Sequence, residues 1–182
     1  MIAADRVAAI LLAAGGSTRF GPEDKLHAEL DGLPLVTHAA AMISAFGFGA
    51  RVAVCARATA PLLAGFDIVI NDAPERGQSH SIRLGVARAL ECDVDAVLVM
   101  LGDMPFIPVS HLRTMLASGG AIIASSLDGQ AMPPALFSRA AALELFALEG
   151  DRGARDLLRG AALVPGDAAM LADIDRPSDL RR

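Results

Sequence analysis

Short continuous apolar runs alternate with helix-length segments along the whole chain, and this alternation limits the possible folds more than any other feature. Residues 7–14, VAAILLAA, make the first run, and residues 96–101, AVLVML, make the strongest later one. A strand that is apolar at every position has both faces covered. That is the condition of an inner strand in a parallel sheet with helices on each side. Further strands are expected at 51–56, 66–70 and 121–125 and near Leu163. Helices are expected at 34–46, 79–90, 108–117, 138–148 and 151–159, with a short one at 59–63 capped by Thr59. In the second of these, Ile82, Val86 and Leu90 share a face that Arg83 and Arg88 avoid. Pro34 suits a first helical turn and Gly47 a helix stop. Residues 27–30 and 33–35 read as a small hairpin about Asp31-Gly32. The expected fold is α/β: a three-layer sandwich, with a mostly parallel twisted sheet and helices on both faces, as one domain over residues 1–182. Ligands of such sheets bind beyond the carboxyl ends of the strands. That directs attention to the loops at 15–25, 102–105 and 173–175.

Composition removes several function classes. The 182 residues carry a net charge of −5, which is the wrong balance for a nucleic-acid footprint. Hydrophobic residues make up 53% of the chain, yet no run approaches the length needed to span a bilayer. The N-terminal apolar stretch carries Asp5 and Arg6 and leads directly into a Gly/Ser loop, unlike a secretory leader. A cytoplasmic protein that engages neither membrane nor nucleic acid is therefore expected. Cys55 and Cys92 lack metal-ligand spacing and read as reduced thiols. Lys25 is the only lysine among 16 basic residues, and it stands beside a glycine loop.

That loop reads LAAGGSTRFGPEDK, residues 12–25. Gly15, Gly16 and Gly21 allow tight turns and close approach of backbone to a ligand, and exposed N–H groups can cradle phosphate oxygens. Arg19 and Lys25 add positive charge. Two familiar motifs fail here. A Walker A loop would need lysine where Pro22 stands, and the glycines lack the G-x-G-x-x-G spacing of a dinucleotide fold. The second strand also ends in Cys55-Ala56-Arg57, without the acidic residue of a nicotinamide-dependent oxidoreductase.

Further along, Gly102-Asp103-Met104-Pro105 follows the apolar run at 96–101. A carboxylate there suits either a turn or a Mg²⁺ site, since Mg²⁺ is held by one or two carboxylates plus substrate phosphates. In Asp173-Ile174-Asp175, alternation places the two aspartates on one side of an extended segment. The segment Gly77-Gln78-Ser79-His80-Ser81 through Gly85 opens a helix, so its free N–H groups and hydroxyls suit either capping or ligand binding. Asp151 in Gly150-Asp151-Arg152-Gly153-Ala154-Arg155 suits an N-cap. His27 follows Lys25 closely enough to approach the loop. His38, His80 and His111 read as surface or helix residues.

Together these segments resemble the MobA-like nucleotidyltransferases, in order and over nearly the whole chain. The Ala13-Ala14-Gly15-Gly16-Ser17 form of the loop, with Arg19 and Lys25, is similar to the molybdenum cofactor cytidylyltransferase branch. The resemblance implies a nucleotide-diphospho-sugar transferase-like, Rossmann-like fold. It also implies a nucleotide site at Leu12, Ala13, Ala14, Gly15, Gly16, Ser17, Arg19, Lys25, Gln78, Ser79, Ser81, Gly85 and Asp103. Arg19, Lys25 and Asp103 would be catalytic, and Asp103 and Asp175 would hold Mg²⁺. Pro134, Asp151 and Arg155 would lie toward the acceptor.

The implied reaction is attack by the terminal phosphate of molybdopterin on the α-phosphorus of CTP, with transient contact to a molybdoenzyme or its chaperone. The alternatives are a guanylyltransferase using GTP, transfer to another phosphorylated acceptor and, less in keeping with the motifs, an oxidoreductase or a non-catalytic nucleotide sensor. Two positions depart from the family pattern. Arg176 stands where Thr is expected, and Ala131-Met132 stands where Arg-Gly is expected.

Overall fold

The computed structural model describes residues 1–15, 20, 24–147 and 158–181. Its core is a seven-stranded sheet in the order β5-β4-β1-β6-β8-β7-β9. These strands are β1 (Val7–Ala13), β4 (Ala50–Cys55), β5 (Asp67–Ile70), β6 (Ala96–Leu101), β7 (Ile122–Leu127), β8 (Gln130–Ser138) and β9 (Ala162–Pro165), while β2 (Glu29–Leu30) and β3 (Leu33–Pro34) form a separate hairpin. β1 pairs in parallel with β4 and β6, β4 with β5, and β7 with β9. Only β8 runs against its neighbours. The expected mostly parallel sheet is present.

The apolar run of β1 is buried at every position because its alternate side chains enter two different layers. Val7, Ala9, Leu11 and Ala13 pack with Val36, Ala39 and Ile43 of α1 (Leu35–Phe46) and with Leu112 and Met115 of α3 (Val109–Ala117). Ala8, Ile10 and Leu12 pack with Ile82, Val86 and Ala89 of α2 (Gln78–Ala89) and with Ala141 and Ala142 of α4 (Arg139–Glu144). Gly47 closes α1 in the left-handed region, φ 84°, as a C-terminal glycine does. Among the described residues, no helix is long and apolar enough to cross a membrane.

Several local expectations are corrected. Residues 130–138 form an inner strand, although two prolines argue against one. The pairing jumps from Ala124↔Ala135 to Ser125↔Met132, so Pro133 and Pro134 sit at an irregularity where no ladder donor is needed. Asp128 and Gly129 supply the turn into β8 with φ of 50° and 77°, the positive angles a tight hairpin requires. The helix expected at 138–148 is shorter: Ser138 caps α4 by accepting from Ala141 N, and a 3-10 turn, Leu145–Ala147, follows. The segment at 59–63 is a 3-10 turn, Ala60–Leu62, and Thr59 does not cap it. Its hydroxyl instead meets His27 Nε2 at 3.1 Å, so His27 is engaged there. The residues at 25–27 form a 3-10 turn in place of the start of a strand, capped by Asp24 accepting from Leu26 N. The helix expected at 151–159 lies mostly outside the described residues.

Candidate active site

The site forms where β1 and β6 end side by side. Leu12 and Leu101 are register partners, and Gly102 N donates to Leu12 O at 2.9 Å. A Cβ on Gly102 would stand 3.2 Å from Val36 Cγ2 and 3.3 Å from Leu12 O, so the chain passes closely enough there to favour glycine. The next residue, Asp103, is thereby delivered beyond the sheet edge. Its backbone oxygen accepts from Ile174 N at 2.9 Å, and fully buried Ile174 packs with Leu30 and Leu35. This anchor holds the C-terminal segment against Asp103, while Asp179 Oδ2 accepts from the backbone of Asp175 and Arg176. Arg176 is thus held through its main chain, and its side chain is exposed.

Lys25 enters from the loop after β1 and joins the two acids. Its Nζ donates to Asp103 Oδ2 at 2.6 Å and to Asp175 Oδ1 at 2.8 Å. The side chains of Lys25 and Asp103 are only 13% and 17% exposed, whereas that of Asp175 is 39% exposed. Burial pulls the Lys25 pKa down, but the two carboxylates outweigh it and leave the ammonium above its ordinary value. Asp103 Oδ1 is buried and has no hydrogen-bond partner among the described residues. A carboxylate oxygen of that kind ordinarily needs a partner, and a divalent cation shared with Asp175 fits the donor set. Asp173, two residues earlier, is exposed, and partial desolvation, then the charge of Asp175, hold its carboxyl above its ordinary value.

Two cavities flank this cluster. One, of about 310 Å³, is lined by Leu12, Ala14, Gly15, Lys25, Gln78, Ser81 and Asp103 among others. These are residues expected at the nucleotide. Gly77, which opens the segment at 77–85, lines it too, as do Leu26, Pro74, Glu75 and Leu101, which carried no motif that would have found them. The other cavity, of about 620 Å³, shares Gln78 and Leu101 with the first. Met104, Met132, Pro133 and Asp173 are in its wall, so the departure at Ala131-Met132 falls on it.

Not every expected site residue reaches a cavity. Ala13 faces the α1 layer of the core. Gly85 is buried mid-helix, where a Cβ would meet Ile10 Cγ2 at 2.6 Å, so it sets helix–sheet packing. Ser79 is buried, its hydroxyl unpartnered among the described residues, and it does not cap the helix. Pro134 is buried behind the cavity wall, its oxygen accepting from Ser125, and Pro133 does the lining. Gly16, Ser17, Arg19, Asp151 and Arg155 lie outside the described residues. His111 is a helix residue but not a surface one: it is 6% exposed and meets Ser125 Oγ at 2.8 Å.

Comparison with known proteins bears on the fold and the family. Purine catabolism protein PucB of Bacillus subtilis (strain 168) is 37% identical over 112 residues, 58% of this chain. The match spans 55% of PucB, so the chain covers about half the length of that relative. Rv0371c from Mycobacterium tuberculosis H37Rv superimposes with a TM-score of 0.84 at 25% identity, covering 97% of each chain, and its structure is also known in complex with manganese. Molybdopterin-guanine dinucleotide biosynthesis protein A from Archaeoglobus fulgidus shares the fold, with a TM-score of 0.71 at 20% identity over 96% of this chain and 95% of that one. Residues 9–167 match the MobA-like NTP transferase domain, and the chain belongs to that family of nucleotidyltransferases.

Proposed function

We propose that the protein transfers CMP from CTP to the terminal phosphate of molybdopterin, releasing pyrophosphate. The observation that carries a nucleotidyl-transfer reading is the convergence of Lys25 with Asp103 and Asp175 at a cavity lined by Gly15 and the start of α2. The CTP and molybdopterin assignments rest on the family likeness set out above. A divalent cation, Mg²⁺ in this reading, would be held by Asp103 and Asp175 and would neutralise phosphate charge.

The chain's own groups supply the rest. Lys25 offers a point charge to the leaving pyrophosphate. Gly15 brings backbone close to the phosphates. Ser81 Oγ already accepts from Asn71 Nδ2 at 2.9 Å, which leaves its own proton to donate to an acceptor atom of the base. An oxygen of the acceptor phosphate bonds to the α-phosphorus while the bond from that phosphorus to the pyrophosphate oxygen breaks. A phosphate monoester has a second pKa of about 6, so it is a nucleophile at neutral pH and needs no general base. Positioning and charge neutralisation therefore carry the rate. The cavity of about 620 Å³ beside Gln78 is large enough for a pterin-sized acceptor. A cytoplasmic location and contact with a molybdoenzyme or its chaperone belong to the same reading.

Pyrophosphate release with CTP and with GTP, each with and without molybdopterin, tests it. Release that requires CTP and molybdopterin together is the expected result. Release with GTP alone among the nucleotides would overturn the cytidylyl assignment. The cavity wall at Ala131-Met132 favours a second reading, transfer to a different phosphorylated acceptor, and CTP turnover without response to molybdopterin would select it.

A further inference from the structure

We infer that Lys25 is an internal cation that closes the Asp103–Asp175 pair to free divalent metal, and that the triphosphate of an incoming nucleotide draws it away and opens the pair. This rests on the reading of Asp103 and Asp175 as the metal ligands. The protein would then accept the metal together with its nucleotide, as the metal–nucleoside triphosphate complex, in preference to loading the metal first.

The geometry leads there. The ammonium bonds one oxygen of each carboxylate, at 2.6 and 2.8 Å, and so occupies the place between them that a bridging cation would take. A second cation brought to the same pair would be repelled by the first at close range and with little water between them, since Lys25 and Asp103 are both largely buried. The lysine does not satisfy the whole pair. Asp103 Oδ1 is buried without a partner among the described residues, so the cluster retains affinity for a further positive charge.

Lys25 also lines the cavity that holds Gly15, Gln78 and Ser81. A triphosphate in that cavity offers the ammonium several anionic oxygens, and a long unbranched side chain can turn from the carboxylates to them. Asp103 and Asp175 then exchange the Lys25 ammonium for the metal that arrives with the phosphates. Nucleotide and metal binding are thereby coupled positively, and the coupling is reciprocal.

Mn²⁺ binding to the purified full chain, followed by loss of the free-ion electron paramagnetic resonance signal, tests this without any turnover. The variants are Lys25→Met, close in length but uncharged, and Lys25→Gln, with circular dichroism to confirm folding. The expected result is weak Mn²⁺ binding by the nucleotide-free wild type and binding at least about tenfold tighter in both variants, as a removed like charge in a poorly solvated cluster requires. Adding Asp103→Asn to Lys25→Met should abolish the gain. In the wild type, α,β-methylene-CTP should raise protein-bound Mn²⁺. Wild type and variants that bind Mn²⁺ equally, with binding lost in Asp103→Asn, would keep the metal site and overturn the gate. Binding indifferent to Asp103 in every form would overturn the metal assignment and the gate with it.

Discussion

Lys25 lies 78 residues from Asp103 in sequence and 150 from Asp175, yet one ammonium touches both. Its rarity in an arginine-rich chain and its place after a glycine loop made it legible as a phosphate ligand. Its contact with the two aspartates was not legible, because the length of the intervening crossovers says nothing about where a side chain points. Lys25→Ala and Asp103→Ala are each expected to lower turnover by about two orders of magnitude or more, the scale on which a group that stabilises transition-state charge acts. Steady-state kinetics on folded variants checks this, and near-normal kcat/KM in either would remove that residue from the chemistry.

His111 is a different case, since its sequence context gave no sign of burial. His111 Nε2 lies 2.8 Å from Ser125 Oγ, whose own proton has the Pro134 carbonyl at 3.0 Å and Met115 Sδ at 3.7 Å as acceptors. Burial lowers the His111 pKa below 6.5. The unfolded chain therefore binds the proton more readily. The stability this residue contributes is present above 6.5 and is lost as pH falls through its depressed folded value. His111→Gln should flatten the fall in melting temperature between pH 7 and pH 5 relative to wild type, whatever it does to stability at pH 7. An unchanged slope would show that another group titrates.

At the scale of elements, α2 links packing to the site. Its first residue, Gln78, lies at both cavities, while Gly85, two turns later, presses on Ile10 of β1 and Val54 of β4. Gly85→Ala would place a methyl 2.6 Å from Ile10 Cγ2. Overpacking costs roughly 1–3 kcal/mol, and the better helix propensity of alanine returns about 1 kcal/mol. A net loss of about 1 kcal/mol in urea unfolding is expected, with a raised KM for the nucleotide as the helix start shifts. β8 shows the opposite relation between pattern and element. Asp128 and Gly129 form the turn before it at positive φ, and Pro133 and Pro134 argue against the strand that follows. They are tolerated because the register jump removes the donors they lack and Ser125 bonds the Pro134 carbonyl.

For the whole molecule, ligand binding and folding are linked. At a concentration one hundred times its Kd, a ligand that binds only the folded state adds about 2.7 kcal/mol, and each kcal/mol moves the midpoint of a chain this size by about 2–4 °C. On the proposed cytidylyl reading, CTP with a divalent cation should raise the melting temperature by about 5–10 °C, and GTP by less. Equal shifts with both nucleotides in a thermal melt would argue against selection of cytosine. The sequence alone determined the layers and the loop chemistry. Apolar runs as short as 7–14, bounded by turn residues, read as inner strands, and a glycine loop ending in a lone lysine suits phosphate, because local periodicity and backbone freedom act within a few residues. Only the tertiary structure decided that β8 runs antiparallel inside the sheet, that Gly85 is a packing residue, and that Lys25 stands between Asp103 and Asp175. Those facts depend on register and on which strand ends meet, and such long-range pairings follow from the balance of the whole packed core.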